Sequence, residues 1–100
     1  MTAIEKQKTE DLIKKFIENN GLDFDEGRRN NDSVIIIGYF LYITKNYKRV
    51  SYLHLFNILL RMKPEFRSFE EEFIKIYNYA NDNDYKSWWE DKDNTKEYII

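Results

Sequence analysis

The chain of 100 residues is 42% hydrophobic and 17% aromatic, so it has the length of one domain and enough apolar material to fold alone. It contains no cysteine, which excludes disulfides and thiolate metal sites. Its formal net charge is only −2, without the strong positive charge typical of nucleic-acid-binding domains.

The N-terminal residues and the apolar runs indicate a soluble, cytoplasmic protein. Residues 1–8 are polar and mixed in charge, unlike the basic start and apolar stretch of a secretory signal. The longest apolar run, residues 34–43, is much shorter than the roughly 20 residues that span a bilayer. No membrane partner is expected.

Charge is unevenly distributed along the chain. Residues 1–32 carry a net charge of −2, residues 33–64 carry +5, and residues 65–100 carry −5. The basic residues of the middle block are Lys45, Lys48, Arg49, Arg61 and Lys63. The opposite charges of the last two blocks are consistent with pairing inside the molecule or with two surfaces for different partners.

The first predicted helix has clear start and stop signals. Thr2 and Glu5 stand three residues apart in the capping-box pattern. Apolar residues then recur on one side of a 3.6-residue period until Asn20 and Gly21, which supply a left-handed stop. Leu22 is expected to fold back onto Ile17.

Residues 22–32 are rich in Asp, Asn, Gly and Arg and are predicted to form an exposed connection. Asp32 and Ser33 are expected to cap the next element, which is apolar on all sides from residue 34 to 43. Its length and its helical flanks favour a buried helix, whereas its β-branched start favours a strand. A strand over residues 34–44 would make the fold α+β.

Two further helices follow. Ser51 is expected to cap a helix whose polar line consists of His54, Asn57 and Arg61, and Pro64 ends it. Ser68 and Glu71 form a second capping-box pattern. The apolar stripe that comes next is Phe69, Phe73, Ile76, Tyr77 and Ala80, and a short final helical turn is expected to carry Tyr85, Trp88 and Trp89.

These elements predict a single all-α domain over residues 1–100, a compact bundle of about five helices. No internal repeat, low-complexity tract or linker divides the chain. The patterns follow general helix-building rules and match no family signature.

The sequence indicates no catalytic residue, cofactor or metal ligand. His54 is the single histidine and there is no cysteine, so neither a nucleophilic triad nor a zinc site is expected. The three consecutive acids at 70–72 lie in the first turn of a predicted helix, where they complement its dipole. Residues 23–27 lack the spaced ligands of a calcium loop.

We interpret the chain first as a non-enzymatic protein-binding module whose acidic, aromatic C-terminal third binds a larger partner, in which charge steers association and aromatic rings anchor it. A partner that itself binds nucleic acid is compatible with this surface, since carboxylates can lie where phosphates would. The candidate contact residues are Glu70, Glu71, Asp82, Asp84, Tyr85, Trp88, Trp89, Glu90 and Asp91. A composition rich in Asn, Lys, Ile and Tyr is typical of AT-rich bacterial or phage genomes, which favours an inhibitor or immunity-type protein.

Two alternatives remain open. The first is a DNA-binding helix-turn-helix with residues 34–46 as supporting helix and 51–62 as recognition helix. Its candidate nucleic-acid contacts are Lys48, Arg49, His54, Asn57 and Arg61. The second is a homodimer formed through the aromatic, apolar surface.

Overall fold

The chain folds into helices only, in a computed structural model that describes residues 1–100 and confirms the all-α prediction. The α-helices are α1 (Ala3–Asn20), α2 (Arg29–Ile43), α3 (Tyr52–Met62), α4 (Glu70–Asp82), α5 (Tyr85–Glu90) and α6 (Lys92–Thr95). A 3-10 helix, Pro64–Phe69, joins α3 to α4. The helix α2 is central, because it packs on α1, α4 and α5. The predicted helix over residues 34–43 is confirmed, and the alternative of a strand over residues 34–44 is wrong.

Both ends of α1 follow the prediction. The Glu5 N–H donates to the Thr2 hydroxyl at 3.1 Å, and the Thr2 N–H donates to the Glu5 carboxylate at 2.9 Å. At the other end Gly21 adopts the left-handed conformation with φ of 63°, and the Leu22 N–H donates to the Ile17 carbonyl at 3.1 Å. These paired groups satisfy backbone atoms that a bare helix end would leave without partners.

The start of α2 differs from the prediction. The helix begins at Arg29, so the last residues of the predicted exposed connection are helical. Asp32 is fully buried, and its Oδ2 accepts the N–H groups of Asp23 at 3.2 Å and Phe24 at 3.0 Å. Asp32 therefore holds the preceding loop against the core and does not cap the helix that follows.

The second predicted capping box is wrong. The Ser68 hydroxyl donates to the Glu65 carbonyl at 3.2 Å, and Phe69 occupies the N-cap position of α4 without a side-chain hydrogen bond. The reason is that the chain is already helical from Pro64 onward, so Ser68 is never the extended residue that a cap requires. The predicted apolar stripe is confirmed, with Phe69, Phe73, Tyr77 and Ala80 buried and Ile76 partly buried.

Aromatic rings fill much of the core. One cluster joins α3, the 3-10 helix and α4, where ring centroids lie 5.2 to 5.7 Å apart. Its members are Phe56, Phe66, Phe69 and Phe73. A second cluster joins α1, α2 and α5, with Phe16 stacked on Tyr39 at 4.1 Å and Trp89 edge-on to both at 5.5 Å. Helices distant in sequence are thus connected by large, directional apolar contacts.

The Trp89 ring packs directly against the backbone at Gly38. A β-carbon at position 38 would lie 2.5 Å from the Trp89 indole nitrogen and 3.1 Å from its neighbouring ring carbon. No side chain fits between the two residues, so the absence of one at position 38 allows α5 to lie directly on the α2 backbone. The packing explains why a glycine interrupts an otherwise apolar helix.

We expect the Gly38→Ala substitution to lower the free energy of unfolding. Overpacking typically costs roughly 1–3 kcal/mol. Because the added β-carbon would approach the Trp89 ring to 2.5 Å, we expect this cost to outweigh the gain of about 1 kcal/mol in helix propensity. Chemical denaturation followed by tryptophan emission measures the difference. The control is the Asn30→Ala variant, at an exposed position of the same helix, which should be neutral or slightly stabilising. A Gly38→Ala protein more stable than wild type would contradict the close packing of Trp89 on Gly38.

We expect Asp32→Ala to destabilise the protein by about 1–3 kcal/mol, because it leaves the buried Phe24 N–H without an acceptor. Asp32→Asn retains an oxygen at this position and should cost less. Urea denaturation of the two variants provides the test. Equal losses in both would show that the charge of Asp32, and not its acceptor oxygen, secures the loop.

Candidate functional site

An apolar groove lies between α2 and α5. It has a volume of about 500 Å³ and is lined by Asn31, Val34, Ile35, Tyr85, Trp88, Trp89 and Tyr98. Trp88 is 42% exposed and Val34 is 38% exposed, so two large apolar side chains of the groove face solvent. We call this set of residues the α2–α5 groove.

The packing of Trp89 explains why Trp88 is exposed in the groove. This residue is 5% exposed and belongs to the core, in contact with Phe16 and Tyr39. Successive residues of a helix point about 100° apart, so burying Trp89 turns Trp88 outward. The two indoles meet edge to face at 5.2 Å. Of the two tryptophans predicted to contact a partner, Trp88 is exposed and Trp89 is buried in the core; their contact with a partner stays a prediction.

The last residues of the chain complete one wall. The Asn20 side chain donates to the Ile99 carbonyl at 2.9 Å and accepts the Ile99 N–H at 2.8 Å, which fixes the C-terminal segment to the end of α1. Tyr98 lies 5.1 Å from the Trp89 ring in consequence. Burial, followed by the nearby Glu97 carboxylate, raises the pKa of Tyr98. Glu97, which directly precedes this lining residue in the chain, is exposed and makes no ion pair.

Sequence reasoning missed the α2 side of the groove. Asn31, Val34 and Ile35 share a face with Gly38, at spacings of three, four and seven residues. A glycine within an apolar helix indicates close approach by another element, so Gly38 is the feature of the sequence that could have identified this face. The all-round apolar character of residues 34–43 concealed which side was left open.

The predicted acidic residues are spread along α4, α5 and the turns that follow them. Glu70 accepts the Tyr52 hydroxyl at 3.2 Å, Asp84 pairs with Lys86, and Glu90 pairs with Lys45 at 3.5 Å. Asp91 caps α6 by accepting the Asp93 N–H at 2.9 Å. Glu71 and Asp82 are exposed and make no ion pair.

Most of the basic charge of residues 33–64 is paired inside the molecule. Lys45 pairs with Glu90, Arg61 with Glu10, and Lys63 with Asp25. Lys48 and Arg49 make no ion pair, and Arg49 has a positive φ of 60° in the turn before α3. In contrast, seven of the ten carboxylates after Pro64 have no cationic partner within 4.0 Å.

The polar line of α3 faces α1. His54, Asn57 and Arg61 lie together as predicted, in a shallow pocket that α1 supplies with Lys6, Thr9 and Glu10. The Arg61 guanidinium is engaged by Glu10, and the His54 Nδ1 accepts the Ser51 N–H at 3.1 Å within the capping box of α3. Two of these three side chains thus already have partners within the protein.

No known protein family, curated protein or solved structure matches the chain. The molecule has no helix of the length and apolarity needed to cross a membrane. It also has no group of three or more histidine, aspartate or glutamate side chains arranged to hold a metal ion.

We expect stability to fall as the pH drops below 6.5 because of His54. Burial lowers the pKa of His54 from its ordinary value of 6.5; a backbone hydrogen bond with Ser51 opposes this shift, and the positive charges of the N-terminus and Lys6 add to it. The unfolded chain then binds a proton more readily than the folded protein. The contribution of neutral His54 to stability is present above pH 6.5 and is lost as the pH falls through the lowered pKa.

Urea denaturation between pH 7.5 and 5.5 measures this dependence. The His54→Gln variant is the matched control, since glutamine at this capping-box position retains an acceptor and does not titrate. It should be less sensitive to pH than wild type over the same range, in a chain with no other histidine. Parallel curves for the two proteins would refute the role of His54.

Proposed function

We propose that this protein is a non-enzymatic protein-binding module of the inhibitor or immunity type, which binds a larger, positively charged partner through the acidic and aromatic surface of its C-terminal third. The observation that carries the proposal is the surplus of carboxylates without ion pairs after Pro64, in the same third of the chain as the exposed ring of Trp88. Unpaired charge steers association, and a large aromatic side chain anchors the complex.

The distribution of ion pairs supports this surface over others. Three of the five basic residues of the middle block neutralise acids of the same chain, so the charge contrast seen in sequence is partly internal. The residues after Pro64 contain more acids than these ion pairs neutralise. A surface that retains one sign of charge after internal pairing attracts a partner of the opposite sign.

Direct DNA binding has less support. The helices required by a helix-turn-helix are present, but α2 packs mainly on α4 and α5, whereas α3 packs on the 3-10 helix, α1 and α4. Arg61 would have to leave Glu10 before contacting a base edge. Only Lys48 and Arg49 of the five proposed contacts offer basic charge without an ion pair.

The test is a tagged pull-down from bacterial lysate with and without nuclease, using the wild type and two double variants. Asp82→Lys with Glu97→Lys reverses two exposed carboxylates of the C-terminal third. Glu18→Lys with Glu26→Lys makes the same charge change at exposed positions of residues 1–32. We expect the wild type to capture a partner protein whether or not nuclease is present. Capture should fall about tenfold or more with the Asp82→Lys, Glu97→Lys variant and stay unchanged with the Glu18→Lys, Glu26→Lys variant.

Two results would contradict the proposal. Loss of all captured material after nuclease treatment, with nucleic acid in the untreated eluate, would indicate direct nucleic-acid binding. Equal losses with both double variants would show that the partner responds to overall charge and not to the C-terminal surface. Circular dichroism of each variant verifies that its helical fold is retained.

A further inference from the structure

We propose that the α2–α5 groove binds the apolar face of a short amphipathic helix that carries lysine or arginine along its flanks and belongs to the partner protein. This inference rests on the proposed function and specifies the chemistry that the partner presents to the groove.

The lining of the groove requires an apolar occupant. Six of its seven lining residues are hydrophobic or aromatic, and Asn31 is the exception. A phosphate or another small anion would meet neither a cationic side chain nor a buried polar group among these residues. The volume of about 500 Å³ lies within the range of roughly 300–1,000 Å³ that ligand pockets span, so the groove has room for several apolar side chains.

The negative charge of residues 82–97, which supply three of the lining residues, favours basic side chains on the flanks of the bound helix. Residues 82–97 contain six acids and three lysines, and ion pairs occupy Asp84, Lys86 and Glu90. The carboxylates left without ion pairs are Asp82, Asp91, Asp93 and Glu97, against the two lysines Lys92 and Lys96. Glu97 directly precedes the lining residue Tyr98 in the chain, and Asp91 and Asp93 follow Trp89. Cationic side chains beside an apolar face would match this excess of negative charge.

The architecture favours a helix over an extended peptide. A strand binds to a protein by adding to an open sheet edge, where main-chain hydrogen bonds supply affinity. This molecule consists of helices, whose backbone groups are already paired internally. A helical segment needs no backbone partners, and it can insert apolar residues spaced at three, four and seven positions between the walls formed by α2 and α5.

A synthetic peptide provides a direct test without knowledge of the partner. The probe is an alanine-based helix with leucines at positions i, i+3, i+4 and i+7 and lysines on both sides of that stripe. One matched peptide replaces lysine by glutamate, and another replaces leucine by serine. Binding is measured by calorimetry and by tryptophan emission, because Trp88 lines the groove and is partly exposed.

Val34→Glu is the decisive protein variant. It places a charge in the apolar wall while adding an acid, so simple charge attraction would strengthen binding of the lysine peptide. Ile4→Glu makes the same change at a residue that is 70% exposed on α1 and lies outside the groove. We expect only the lysine and leucine peptide to bind the wild type, about tenfold more weakly to Val34→Glu, and unchanged to Ile4→Glu.

Equal binding of the glutamate peptide, or unchanged binding to Val34→Glu, would overturn the inference. A wild type that self-associates in sedimentation experiments, and a Val34→Glu variant that does not, would identify the occupant as a second copy and overturn it as well. Partner capture that depends on Asp82 and Glu97 but not on Val34 would retain the proposed function while rejecting the groove as the helix site.

Discussion

The contact between Trp89 and the backbone at Gly38 is the constraint on which the arrangement of the C-terminal third depends. The indole nitrogen lies only 2.5 Å from the position that a β-carbon at residue 38 would occupy, and the ring meets Phe16 and Tyr39 edge-on at 5.5 Å. One ring therefore joins three helices, α1, α2 and α5. The short helix α5 has only six residues and would be marginal alone, so this packing is what keeps it in place.

The same contact determines what the protein exposes. Once Trp89 is buried, its neighbour Trp88 must point away from the core, and it does so beside Val34. The α2–α5 groove is thus a geometric consequence of the packing of Trp89 on Gly38. Ion pairing has a separate effect: it occupies three basic residues of the middle of the chain, while most carboxylates after Pro64 have no cationic partner.

Local signals in the sequence predicted most helices, since caps and apolar periodicity act over a few residues. The capping boxes of Thr2 and Ser51 are present, as is the left-handed Gly21. Asp32 and Ser68 were misjudged for a shared reason. Each matches a cap by residue type, but a cap must also have extended backbone, and that depends on whether the preceding segment is already helical. For Asp32 and Ser68 it is.

The candidate site was only partly predictable, because it combines segments about fifty residues apart. As neighbours on a helix, Trp88 and Trp89 are expected to differ in burial, but which of them enters the core depends on tertiary packing, here the close approach of Trp89 to Gly38. From sequence, the apolar residues of α2 all looked like core, and the acids looked like one continuous surface. Tertiary packing separates Val34 from its buried neighbours, and ion pairing separates Asp82 from Glu90. The properties of the groove therefore depend on two features of the tertiary structure: the packing of Trp89 on Gly38, and the acids that are left without ion pairs.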